Sequence, residues 1–254
     1  MSERLKQLPE FRSPPVIEVV FGVQFEEVAS FSSVHFGEFW QRVKQTYPNV
    51  EDHAPLADVF EVEGRGSRQV AGPSPAALQA PGAVIPLEQP PLRRVFYVDE
   101  SGNYLLQLQP TRFLANWRKK SDGDPYPRFP AVKKRFATGW KSLLKFLADA
   151  HVGTPKVNHY ELTYINHILE EACEPFPAGI EHFLPVFAWG SAQSTRFLEK
   201  PGAMNLMFQF ALPHGKGALQ VTVNHGIRRS DRRPGAPRRS GRRGQTQIRA
   251  GHYV

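Results

Sequence analysis

Val16-Ile-Glu-Val-Val-Phe-Gly-Val-Gln-Phe25 decides the fold. Ile17, Val19, Phe21, Val23 and Phe25 fall on one side of an extended chain, and Val16, Glu18, Val20, Gly22 and Gln24 on the other. Period-two alternation of this length predicts a strand with one buried face. Pro14-Pro15 fixes where it begins. Downstream, Ser32-Ser33 offers a helix cap ahead of Phe36, Phe39, Trp40, Val43 and Tyr47, which repeat at helical spacing, and Pro48 closes that helix.

Further out, Val59–Val62 reads as a short strand, and the six prolines within residues 72–91 mark a long surface loop. Three strands follow at Arg94–Val98, Tyr104–Gln109 and Arg112–Arg118, the first two joined through Gly102. A second helix starts near Pro130 and carries Val132, Phe136, Trp140, Leu143, Leu144 and Leu147 on one stripe, with Gly153 beyond its end. Its lysines and Arg135 occupy the remaining faces, as a solvated helix surface requires.

His159-Tyr-Glu-Leu-Thr-Tyr-Ile-Asn-His-Ile168 repeats the first strand at an offset of 143 residues, placing Glu161 on Glu18, Leu162 on Val19 and Tyr164 on Phe21. The same offset sets Glu181-His-Phe183 on Glu38-Phe-Trp40, and Leu105–Leu108 finds a looser counterpart in Leu219–Thr222. The expected architecture is therefore α+β, with two related halves that are each an antiparallel sheet with helices on one face. Residues 1–153 form the first half, 154–229 a second that lacks its closing helix, and 230–254 a tail.

Composition narrows the function classes. The chain has 254 residues, 41% of them hydrophobic, enough to build a core. It has no apolar run long enough to cross a bilayer, and its start, Met1-Ser-Glu-Arg-Leu-Lys-Gln-Leu-Pro, carries no apolar leader; both point to a cytoplasmic protein away from the membrane. Cys173 is the single cysteine and has no partner for an internal disulfide, as in a reducing compartment. The net charge is +8, but residues 226–254 hold nine of the 32 basic and one of the 24 acidic residues, leaving 23 of each elsewhere. The charge thus belongs to the tail. Its few apolar groups predict disorder, with two origins open: an arginine-rich arm for nucleic acid, or a change of reading frame near residue 231.

Pro14-Pro15-Val-Ile-Glu-Val-Val-Phe, Asn116-Trp-Arg118, Tyr126-Pro-Arg-Phe129 and Glu161-Leu-Thr-Tyr-Ile-Asn-His-Ile168 together resemble a sporadically distributed uncharacterised bacterial protein family, from about Pro14 to Arg229. Members continue in a strand and a helix where this chain turns arginine-rich. The resemblance implies no activity, cofactor or catalytic residue; sporadic distribution associates it with mobile-element or defence systems.

Candidate chemistry is sparse. Glu18 and Glu161, twins under the repeat, are the weak catalytic candidates as an acid and base pair; each also suits an ion pair with Arg94 or Arg112. Gln107, Gln109, Gln220, Thr222 and Asn224 alternate with apolar neighbours, and with Gln24, Thr163 and the two glutamates form a broad polar surface suited to hydrogen-bonded recognition. Trp117 and Arg118, with Tyr126, Arg128 and Phe129, supply aromatics and arginines around a loop from Lys119 to Pro125 that stacks on a base, grips a phosphate or is merely anchored to the core, and Arg112 and His167 are further ligand-binding candidates. His159, Glu161 and His167 share a strand face, but the two histidines stand about 26 Å apart, so no metal is expected. No nucleotide, dinucleotide, zinc or nucleophile-elbow motif is present, and no cofactor is expected. The reading is a recognition or accessory module that binds a protein partner or a second copy. A hydrolase-like enzyme using the two glutamates, and nucleic-acid binding through the tail, are the alternatives.

Overall fold

The structure is a computed structural model that describes residues 11–62, 66–69, 93–169, 204–228 and 243–253. It is α+β. Nine antiparallel strands form one sheet, beginning with β1 (Val16–Phe25) directly after the two prolines. Helix α1 (Ser33–Val43) follows, then β2 (Asn49–His53), and β3 (Val59–Val62) paired only with β4 (Gly66–Gln69) in a separate ribbon. Next come β5 (Arg94–Val98), β6 (Tyr104–Gln109), β7 (Arg112–Arg118), α2 (Arg128–Asp149) and β8 (Val157–Leu169). The chain closes with β9 (Asn205–Ala211), β10 (Ala218–Arg228) and β11 (Arg243–Tyr253). In space the order is β2-β5-β6-β7-β1-β8-β11-β10-β9.

Both helices stand on one side of the six strands from β2 to β8. Phe36, Phe39 and Val43 of α1 and Leu143, Phe146 and Leu147 of α2 meet Val23, Phe25, Tyr97, Leu106, Leu108 and Phe113 from the sheet. Phe39 is fully enclosed by the rings of Tyr97, Phe113 and Phe146 at 5.4, 6.5 and 5.7 Å. The Tyr97 hydroxyl donates to the Phe36 carbonyl at 2.9 Å, so the one polar atom there is satisfied. The β5–β6 hairpin turns through Gly102 at φ 72°, a conformation that favours glycine.

Several expectations are adjusted. A register shift between Val16 and Glu18 puts Val16, rather than Ile17, into the core beside Val19, Phe21 and Trp117. Such a bulge reverses the side to which preceding residues point. Helix α2 begins at Arg128, two residues ahead of Pro130. The larger difference lies in the tail: residues 243–253, which composition assigns to a disordered segment, form β11, hydrogen-bonded to β8 on one flank and β10 on the other. A strand gains its order there from backbone ladders on both flanks, with β10 over Arg243–Tyr253 and with β8 over Gln245–Tyr253, which a count of apolar side chains does not register. The 72–91 loop, Cys173, the second-half helix near residue 181 and residues 230–242 lie outside the described residues.

Candidate functional site

The side of the sheet away from the helices is polar through its central strands, with a buried apolar cluster of Phe96, Val98 and Leu105 on β5 and β6, and the register sets its side chains in rows across the strands. One row runs Gln109, Arg112, Gln24 and His159. The next holds Gln107, Leu114, Gly22 and Glu161, and a third holds Asn116, Val20 and Thr163. Beyond β8, Thr222 is opposite Met207 and Gln220 opposite Gln209, extending the same side across β10 to the exposed β9.

The central rows are buried and interlocked. Gln24, Gln107, Gln109, Arg112, Asn116, His159 and Thr163 are all nine-tenths or more out of solvent. Arg94 donates to Gln107 at 3.0 Å, Gln107 to Asn116 at 2.9 Å, and Asn116 to the Glu18 carboxylate at 2.6 Å. This chain of side-chain hydrogen bonds crosses from β5 to β1 and leaves the buried Arg94 Nε without a partner among the described residues. Alongside it, Arg112 donates to the Gln24 amide oxygen and to the Ala57 carbonyl, while Gln24 donates to Asn158 at 3.2 Å. Gln109 both donates to and accepts from the backbone of Leu56, at 3.0 and 2.9 Å. The segment at residues 54–58 is thereby strapped over the sheet.

Glu161 approaches Arg112 to 3.9 Å. It gets there across Gly22: a Cβ on that glycine would come within 2.6 Å of the Glu161 side chain and would also strike Leu114. Burial, then the adjacent Arg112, push the His159 imidazole below its usual value, so it is neutral at pH 7. Burial and the same neighbour also lower Arg94, whose guanidinium lies over the Phe96 ring at 4.9 Å.

Glu18 and Glu161 share the polar side, as expected, but Gly22 is the residue opposite Glu161 and Ile165 the one opposite Glu18. Four residue positions along the strands separate them, about 13 Å at the backbone. Carboxyl groups that share catalytic labour lie about 5–9.5 Å apart. Each glutamate is instead held by its own partner, Asn116 and Arg112.

The loop candidates divide. Trp117 is on the helix side, buried against Tyr126 at 5.4 Å, and anchors the loop rather than offering a stacking face. Arg118 donates to the Gly102 carbonyl at 2.9 Å and reaches Glu51 at 4.0 Å. Arg128 takes a positive φ of 68° and donates to the Phe11 carbonyl. His167 lies on β8 towards the opposite end of the sheet from Arg112. Gln220 donates to the Met207 sulfur at 3.1 Å. Sequence reasoning missed Asn158 and the crossing at Gly22, because a contact between a strand and its second neighbour leaves no periodic mark. Among the described residues no three metal-ligating side chains converge, and no helix is long and apolar enough to cross a membrane.

Compared with family models, curated proteins and solved structures, the chain matches none.

Proposed function

We propose that this chain is a recognition or accessory module that engages a protein partner, or a second copy of itself, through the polar side of its sheet. One observation carries the reading: polar side chains continue on one side from Gln107 and Asn116 to Gln220 and Thr222, while α1 and α2 stand on the other. The buried rows fix the backbone, and the half-buried β10 and exposed β9 are what a partner can reach. Amides and hydroxyls without a dominant charge suit hydrogen-bonded recognition more than phosphate binding.

Two halves on one plan fit this surface. Val20 is opposite Thr163, and these positions differ by 143, the offset of the sequence repeat. A twofold through that pair exchanges β1 with β8, β7 with β11, β6 with β10 and β5 with β9, which agrees with the strand order on both sides. The polar side is then one doubled surface.

The test is a substitution at its accessible end. Affinity-purified wild-type chain from its native host is expected to retain a partner, or to self-associate by light scattering, and Gln220→Arg/Thr222→Arg to lose it with its melting temperature unchanged. Glu18→Gln/Glu161→Gln is expected to keep the complex. A solitary wild-type chain, or a complex indifferent to the arginines, would refute the reading.

A further inference from the structure

The end strand of the sheet, β9, has β10 on one flank, and among the described residues no strand pairs with its outer edge. The backbone bonds at its two ends fix which groups that edge presents. The His225 amide donates to the Met204 carbonyl, and the Leu212 amide to the Gly217 carbonyl. Bonded pairs alternate along an antiparallel ladder, so Leu206, Phe208 and Phe210 direct their backbone groups to β10. Asn205, Met207, Gln209 and Ala211 direct theirs outward, where a further strand can meet them.

Natural sheets guard such edges with charge. The opposite edge is guarded: β2 carries Glu51 and Asp52, both exposed, and a second β2 laid antiparallel about Glu51 would set carboxylate against carboxylate. In contrast β9, Asn205-Leu-Met-Phe-Gln-Phe-Ala211, holds no charged residue, and its Met207 and Phe210 are 65% and 52% exposed. The strand also complements itself. A second β9 turned about Phe208 sets the outward-directed Met207 opposite Gln209 of the other copy and Asn205 opposite Ala211, so that each free amide finds a carbonyl. Leu206, Phe208 and Phe210 share the side away from Gln220 and Thr222, the last two with their rings stacked at 6.4 Å. In that register they meet Phe210, Phe208 and Leu206 in one apolar row, with Phe208 against its own copy at the closely spaced, non-bonded position. Such a twofold contact closes on itself, whereas β9 laid on β2 of another copy would run on as a filament.

We infer that β9 is a dimerisation seam, at which two copies of this chain join their sheets edge to edge through antiparallel backbone bonds centred on Phe208. The seam uses no side chain of β10 and stands apart from recognition by the polar side of the sheet. Sedimentation velocity at micromolar concentration tests it. The wild type is expected at twice the chain mass. Gln209→Pro removes an outward amide and leaves the β10 ladder whole, so it is expected to weaken the dimer about a hundredfold with its circular dichroism unchanged. Gln209→Ala keeps that amide and is expected to weaken it by less than about threefold. Met207→Lys/Gln209→Lys sets lysine opposite lysine and is expected to be monomeric, and to dimerise when mixed with Met207→Glu/Gln209→Glu. Gln220→Arg/Thr222→Arg, the variant that removes a partner from the polar side, is expected to keep this dimer. A monomeric wild type, which leaves the edge open or gives it to residues 170–203 of the same chain, overturns the proposal. So does a dimer indifferent to the proline in a folded chain, or lysine and glutamate variants that stay apart when mixed.

Discussion

The side chain of Glu161 passes over the bare backbone of Gly22 on its way to Arg112, so a residue on β8 is paired with one on β7 across the whole width of β1. A glycine inside a strand ordinarily weakens it. Here its missing side chain is the passage through which the buried ion pair forms.

Gly22→Ala therefore places a methyl group against both Glu161 and Leu114. Overpacking of this kind costs about 1–3 kcal/mol. Urea unfolding is expected to show that loss, and the double variant with Leu114→Ala, itself a costly truncation of a buried side chain, to lose less than the sum of the two single losses. Simple additivity of the two substitutions would show that the contact is not felt.

Arg112 holds Gln24, the Ala57 carbonyl and Glu161 together. Arg112→Met removes the buried guanidinium from beside the Glu161 carboxylate, and breaking a pair of this kind costs up to about 3–5 kcal/mol. Lysine cannot replace the forked guanidinium, so Arg112→Lys is expected to recover only a fraction of that stability. The unfolding midpoints of the two variants against the wild type decide the point.

His159 gives the fold a pH dependence whose sign follows from its lowered pKa. Unfolded, the imidazole titrates near its ordinary value of about 6.5; folded, it resists protonation because it is buried near Arg112. The unfolded chain therefore binds the proton first. Stability is full above about pH 6.5 and declines as the pH falls from there towards the lower folded value. Melting temperatures between pH 8 and pH 5 are expected to drop in the wild type and to drop less in His159→Gln.

Asp124 closes the loop after β7 by accepting from the Lys120 and Ser121 amides, Asn103 and the Ser121 hydroxyl. Asp124→Ala is expected to speed hydrogen exchange at the Lys120 and Ser121 amides while leaving exchange in β6 and β7 unchanged. Unaltered exchange at those two amides would mean that the lysine-bearing loop is held by other contacts.

The strands were legible where a period of two ran against a helical stripe of aromatic residues. Arg94–Val98, Tyr104–Gln109 and Arg112–Arg118 end where the sequence places them, and Ser32 precedes α1. The common side of Gln24, Gln107, Thr163, Gln220 and Thr222 was legible too, because alternation fixes which side each residue takes before strands pair. Burial was not. Gln107 and Arg112 look solvated in one dimension, and only the strap at Leu56 and Ala57 and the neighbouring strands remove them from water.

Local alternation and helical spacing, which need only a residue and its near neighbours, determined from sequence that the chain is α+β with one side of its sheet polar. Which strands lie together is settled by non-local backbone pairing. That pairing alone put β1 against β8, set Glu18 and Glu161 four positions apart, and drew residues 243–253 into the sheet despite their arginine-rich surroundings.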